Sequence, residues 1–217
     1  MSPDRRDTVI GIGLLAAGVG LTVLVADPRT RAVLQRVDDR WYALIQRNRS
    51  DRRTAASQAL RIAFGTTLDW SARVAVTGVL VKQRRWQALA GWATTIALGE
   101  VCIGPVKSVV RRERPPDSLG PTTQSSYPSG HALAAATTAP GIVLALMRPG
   151  PWRQRALGGA IGLAATTALS RTDLNAHWLS DCVGGFCLGT GFAMTVPPAV
   201  NAVSAVLRRR SGPAVLR

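Results

Sequence analysis

His131 and His177 are the only two histidines in this chain of 217 residues, and each sits where an uncharged run meets a connection rich in arginine, serine, glycine or aspartate. Imidazole is the side chain best suited to attack and to move protons near neutral pH. Cations gather around both. Lys107 and Arg114 are seven residues apart, two helical turns, so a helix continuing past Pro105 points both toward a common anion before Pro115 and Pro116 stop it. In Tyr127-Pro128-Ser129-Gly130-His131 the Ser-Gly pair opens a helix whose unbonded N–H groups attract phosphate-like anions. Arg171 closes a further apolar run, and His177 is followed at i+4 by Asp181, within hydrogen-bonding reach along one helical face. Taken singly, each element has a plain structural reading: Lys107, Arg111, Arg112 and Arg114 as a basic flank, Pro-Ser-Gly as a turn and cap, Asp181 as a polar helix end. Together they make an anion pocket with two imidazoles.

The series Lys107-x6-Arg114-Pro115, Pro128-Ser129-Gly130-His131 and Ser170-Arg171-x5-His177-x3-Asp181 resembles the three-part signature of the type 2 phosphatidic acid phosphatase superfamily. The resemblance extends over about the last two thirds of the chain, and the first apolar run and the basic segment after it look like the short, six-span bacterial members. It implies that His177 is the nucleophile, passing through a phosphohistidine, and that His131 protonates the leaving oxygen and later activates water. Lys107, Arg114 and Arg171 are then expected to hold the nonbridging oxygens, with Ser129 and the Gly130 N–H adding hydrogen bonds. Asp181 is expected to bond the distal ring nitrogen of His177. Three fixed cations serve without a metal or other cofactor, so insensitivity to chelators and inhibition by vanadate are expected.

These side chains need elements that bring helix ends together. Uncharged or nearly uncharged runs cover residues 8–26, 86–106, 131–147, 156–170 and 178–207, and a weaker one, interrupted by Arg61, Asp69 and Arg73, covers 55–81. Each approaches the ~20 residues that cross a hydrocarbon core. The expected fold is therefore all-α: a polytopic membrane bundle of about six spans forming one membrane-embedded phosphatase domain over 1–217. Residues 28–48 read as an amphipathic helix lying in the interface, with Val33, Val37, Trp41, Leu44 and Ile45 near helical spacing and arginines toward anionic headgroups. Asp69 and Arg73 read as a structural ion pair, and Glu100, two turns before Lys107, reads equally as a partner of Lys107 or as a glutamate near the interface.

Lys82 to Arg85, Arg148 to Arg155, Arg208 to Arg210 and the basic amino terminus fall on one side of such a bundle, which the positive-inside rule makes cytoplasmic. The arginine-rich segment 27–53 runs against that rule. The motif residues then face the other side of a bacterial cytoplasmic membrane, at headgroup depth. Polyprenyl pyrophosphates, phosphatidic acid, phosphatidylglycerophosphate and polyprenyl-linked sugar phosphates all fit as substrates, with Gln124 in the loop 116–126 and Tyr127 just after it as candidate selectors.

Lys+Arg 27 against Asp+Glu 12 gives a net charge of +15, but the long Ala, Val, Leu and Gly runs speak against a nucleic-acid partner. With 47% hydrophobic and 18% charged residues, a disordered chain is excluded too. Cys102, Cys182 and Cys187 lack metal-ligand spacing and read as packing residues. Two rival readings are a soluble-type histidine acid phosphatase or vanadium haloperoxidase relative, and a non-enzymatic basic membrane scaffold. The second has no use for paired imidazoles.

Overall fold

The computed structural model describes residues 3–63, 65–118 and 124–210. Among these the secondary structure is helical throughout: α1 (Pro3–Ala26), α2 (Pro28–Arg47), α3 (Asp51–Ala63), α4 (Thr66–Lys82), α5 (Trp86–Val110), α6 (Gly130–Leu146), α7 (Pro151–Asp173) and α8 (Leu179–Arg210). The all-α expectation holds. Three of the helices are long and apolar enough to cross a membrane, Asp4–Ala26, Trp86–Val110 and Leu179–Arg209, and Gly130–Leu146 is a shorter apolar helix. α4 and α7 fall short of that length or apolarity, so the expected six spans are not all visible in the helices themselves. Outward faces are strongly apolar, with Val74 67% and Val101 70% exposed, the surface a lipid solvent requires.

The single span expected over 55–81 is in fact two helices, α3 and α4, separated at Gly65. A hydropathy window averages across this break, and the charges at Arg61, Asp69 and Arg73 were its visible trace. α5 does continue past Pro105 to Val110, ending at Arg111 in the left-handed region (φ 45°).

α8 lies at the centre, against α1, α5, α6 and α7. Its contact with α6 is a backbone approach: a Cβ on Gly185 would stand 2.6 Å from the Ser129 carbonyl oxygen, and one on Gly189 2.5 Å from that of Leu133. Small residues four apart let two membrane helices meet this closely. Several charged residues inside the bundle are paired. Arg73 joins three helices, through Asp69 (2.8 Å), Glu100 (2.5 Å) and Thr138 Oγ1 (3.0 Å). Glu100 thus pairs with Arg73 and not with Lys107. The Asp69–Arg73 pair is present as expected.

α2 lies against the cavity end of the bundle and turns a polar side to it. Asp27 caps it, Pro28 opens it, and its inward side is polar: Asp38 is buried, Trp41 Nε1 donates to Thr172 Oγ1 (3.1 Å), and Gln46 Nε2 donates to Asn175 Oδ1 (2.7 Å). Val33, Val37 and Leu44 point outward at 60%, 53% and 50% exposure, while Ile45 is buried. The apolar positions are therefore divided between two faces.

Candidate active site

Four helix ends converge: the C-termini of α5 and α7 and the N-termini of α6 and α8. Lys107, in the last turn of α5, donates from Nζ to the Ser125 carbonyl (3.0 Å). Arg114 follows in the connection to α6 and donates from Nη1 to the Ala176 carbonyl (2.6 Å). The α6 N-cap is Ser129, and Gly130 and His131 occupy the first turn.

Arg171 is 2% exposed, and its Nε and Nη2 have no hydrogen-bond partner among the described residues. Immediately after it the chain reverses. Asn175, in the left-handed region (φ 51°), lets Ala176 N bond Arg171 O (3.0 Å) and Asn175 N bond Thr172 O (3.1 Å), a Schellman closure of α7. This turn returns the chain so that His177, six residues on, faces the same cavity as Arg171. Asn is one of the few side chains that tolerates that position.

One cavity of about 340 Å³ collects Lys107, Arg114, Gly130, His131, Arg171 and His177 on its wall. Seven of the eight predicted site residues are accounted for by this cavity and its immediate support, and Ser129 is the exception. It is fully buried, its Oγ accepting from Ala132 N (3.4 Å), so it caps α6 and does not face the anion. Asp181 supports the cavity without lining it.

His177 is buried, and its Nδ1 lies 2.7 Å from the Ser126 carbonyl oxygen. A carbonyl only accepts, so Nδ1 carries the proton and Nε2 the lone pair, which accepts from Arg114. Nε2 stands 3.4 Å from Arg114 Nη1. The expected Asp181 bond to the ring is replaced by this carbonyl, since Asp181 Oδ2 is 3.8 Å from Nδ1. The reason is local: α8 starts at Leu179, leaving His177 outside the helix, and Asp181 bonds back to Trp178 N (2.9 Å) in its first turn. Asp181 also accepts from the Ser126 hydroxyl and from Arg112 Nη1 (2.7 Å). It therefore holds the residue whose carbonyl orients the ring.

Burial lowers the His177 pKa from the ordinary histidine value; Asp181 opposes the shift, and Arg114 and Lys107 add to it. The neutral ring is the favoured form. Burial likewise lowers that of Arg114, with Asp181 opposing.

Several side chains here were not among the expected site residues. Arg61, Asp69, Trp70 and Glu100 line the same cavity from α3, α4 and α5. Arg112, which looked like part of a basic flank, is 4% exposed and bridges Asp38 (2.6 Å) and Asp181 (2.7 Å). Buried-arginine networks leave no periodic trace, so only its place between two motif cations hinted at it. Of the two candidate selectors, Gln124 lines the cavity and Tyr127 does not. Tyr127 is buried, its hydroxyl bonded to Thr22 Oγ1 (2.8 Å) and its pKa pushed up to about 12 by desolvation. Residues 119–123 of the loop 116–126 lie outside the described residues. Among the described residues no group of three His, Cys, Asp or Glu is placed to hold a metal ion.

Residues 88–204 match the model of the PAP2 superfamily. The fold is similar to that of a transmembrane PAP2 type phosphatidylglycerolphosphate phosphatase from Bacillus subtilis, with a TM-score of 0.70 at 20% sequence identity, over 92% of this chain and 98% of that one. A comparison with curated proteins finds no match.

Proposed function

The chain belongs to the PAP2 superfamily, and from that membership together with the geometry of the two histidines we propose that it is an integral-membrane lipid-phosphate phosphatase working without a metal. The observation that carries the reading is the state of His177: Nδ1 donates to the Ser126 carbonyl, so the unprotonated Nε2, held only by a long bond from Arg114 Nη1 (3.4 Å), lies in a cavity lined by cations. Arg171 adds to it. A buried guanidinium with two unbonded nitrogens beside two imidazoles is suited to an anion with several oxygens.

In the proposed reaction His177 Nε2 attacks phosphorus, the bond from phosphorus to the lipid-side oxygen breaks, and protonated His131 gives that oxygen its proton. Water then attacks the phosphohistidine, the P–N bond breaks, and His131 takes the proton released by the water. Both rings return to their starting states, and the products are inorganic phosphate and a lipid shortened by one phosphoryl group. Lys107, Arg114 and Arg171 neutralise the three nonbridging oxygens while the phosphoryl group is in transit. Asp181 fixes Ser126, and thereby the ring.

Arg84 and Arg85, Arg148, and Arg208 and Arg209 cluster at the end of the bundle opposite the cavity, and the positive-inside rule puts that end in the cytoplasm. The cavity then opens at the outer headgroup layer of a bacterial cytoplasmic membrane, where the phosphate of a lipid sits while its chain stays in hydrocarbon.

The test is phosphate release from lipid phosphates by the purified protein in detergent. Release is expected to survive chelators and to be inhibited by vanadate, and His177→Ala is expected to abolish it with insertion and melting preserved. Turnover by a folded His177→Ala protein would overturn the assignment.

A further inference from the structure

The motif cations already match the three nonbridging oxygens of one phosphoryl group. A fourth cation lines the same cavity. Arg61 stands on α3, outside residues 88–204, and lies within electrostatic reach of both His131 and Arg171. No hydrogen bond or ion pair engages it among the described residues. Its neighbours on the wall, Asp69 and Glu100, are both taken up by Arg73.

Its position is built in. Arg53, Ser57 and Arg61 are four residues apart on one face of α3. The first two grip the end of α7: Arg53 Nη2 pairs with Asp173 Oδ1 at 2.6 Å and Ser57 Oγ donates to Asp173 Oδ2 at 2.9 Å. Asp173 is two residues beyond Arg171, so the stripe that docks on Asp173 carries its third member on toward the cavity. A guanidinium within reach of the like charge on Arg171, with no acid of its own, is best satisfied when a further anionic group arrives with the substrate.

We propose that Arg61 binds a second phosphoryl group of the substrate, so that the preferred lipids carry two: either a diphosphate, or a terminal phosphomonoester joined through glycerol to a phosphodiester. The proposal rests on the phosphatase reading above and narrows it. The terminal group is the one transferred to His177, and Arg61 holds the one that remains on the lipid.

The experiment compares two matched pairs in mixed micelles: farnesyl phosphate against farnesyl diphosphate, and dioleoyl phosphatidic acid against dioleoyl phosphatidylglycerophosphate. Wild-type protein is expected to favour the two-phosphoryl member of at least one pair in kcat/KM, and the pair showing it identifies which linkage Arg61 reads. In Arg61→Gln that preference is expected to fall about tenfold or more, the size of one charge-assisted contact, and to return in part in Arg61→Lys. Arg61 is exposed, so the variant is expected to melt as wild type does. A preference unchanged by Arg61→Gln, or wild-type protein showing none in either pair, overturns the proposal and leaves the phosphatase reading standing. Release from none of the four lipids overturns both.

Discussion

Arg112→Met is the perturbation that best separates support of His177 from contact with substrate. The guanidinium reaches Asp181 Oδ1 (2.7 Å) and Ser180 Oγ (2.6 Å) through Nη1, and Asp38 Oδ2 (2.6 Å) and Gln35 Oε1 (2.6 Å) through Nη2. Asp38 is 1% exposed and Asp181 0%, so the methionine variant leaves two carboxylates buried without the cation that joins them. Removing one partner of a buried ion pair costs about 3–5 kcal/mol. The lower end applies here, because Asp38 keeps the Ser180 N–H and hydroxyl, and Asp181 keeps Trp178 N and the Ser126 hydroxyl. At roughly 2–4 °C per kcal/mol for a chain of this size, a loss of about 3 kcal/mol lowers Tm by about 6–12 °C. Neutralising one stranded carboxylate, in Arg112→Met with Asp38→Asn, is expected to recover part of that loss. Arg112 is not on the cavity wall, so kcat falls while KM is held. Melting within about 1 °C of wild type, or a raised KM with unchanged kcat, refutes the reasoning; thermal unfolding in detergent and steady-state kinetics decide it.

Two further outcomes are expected. On the proposed mechanism protonating His177 removes the nucleophile, and its pKa is held below the ordinary 6.5, so the nucleophilic form is retained above that value and lost as pH falls through the lowered one. The acid limb of kcat/KM should centre below 6.5 and move upward in Arg114→Gln, which removes a cation favouring the neutral ring; a limb above 6.5 in wild type contradicts this. In Gly185→Ala the new methyl would meet the Ser129 carbonyl at 2.6 Å and Ala132 Cβ at 3.2 Å. Such overpacking costs about 1–3 kcal/mol and pushes on the turn that carries His131, so both Tm and kcat should drop, whereas Gly158→Ala, which meets nothing within 4 Å, should melt at or above wild type.

The cavity was legible because its residues are of rare type at fixed spacing next to helix ends. Lys107 to Arg114 needed only helical periodicity through Pro105, and α5 supplies it. The role of Asp181 was harder to read, because i,i+4 geometry assumes that His177 belongs to the helix. An acid in the third helical position also reads as a capping residue, and that is the bond the structure makes, to Trp178 N. Ser129 is similar: a serine before Gly-His is both a phosphate donor and an N-cap, and the cap prevails once the residue is fully buried. The division of 55–81 and the polar inward face of α2 escaped for one reason. Periodicity reports where apolar residues recur, whereas these features are set by charges that find partners far away in sequence, as Asp38 finds Arg112 and Arg53 finds Asp173.

That pairing also accounts for the arginine-rich segment 27–53, which sits at the cavity end of the bundle against the charge rule. Arg31 spends its guanidinium on the C-terminal carbonyls of two helices, Val25 (2.6 Å) and Ala26 (3.2 Å) in α1 and Val110 (3.0 Å) in α5, where the helix dipole favours a cation. Arg53 is neutralised by Asp173. Arg36, Arg40 and Arg47 remain outward beside Val33, Val37 and Leu44, an arrangement suited to headgroups above and acyl chains below. A segment that binds the ends of α1, α5 and α7 and delivers Asp38 to Arg112 is held by the cavity end itself. Its arginines therefore follow the chemistry of the cavity more than the sidedness of the membrane.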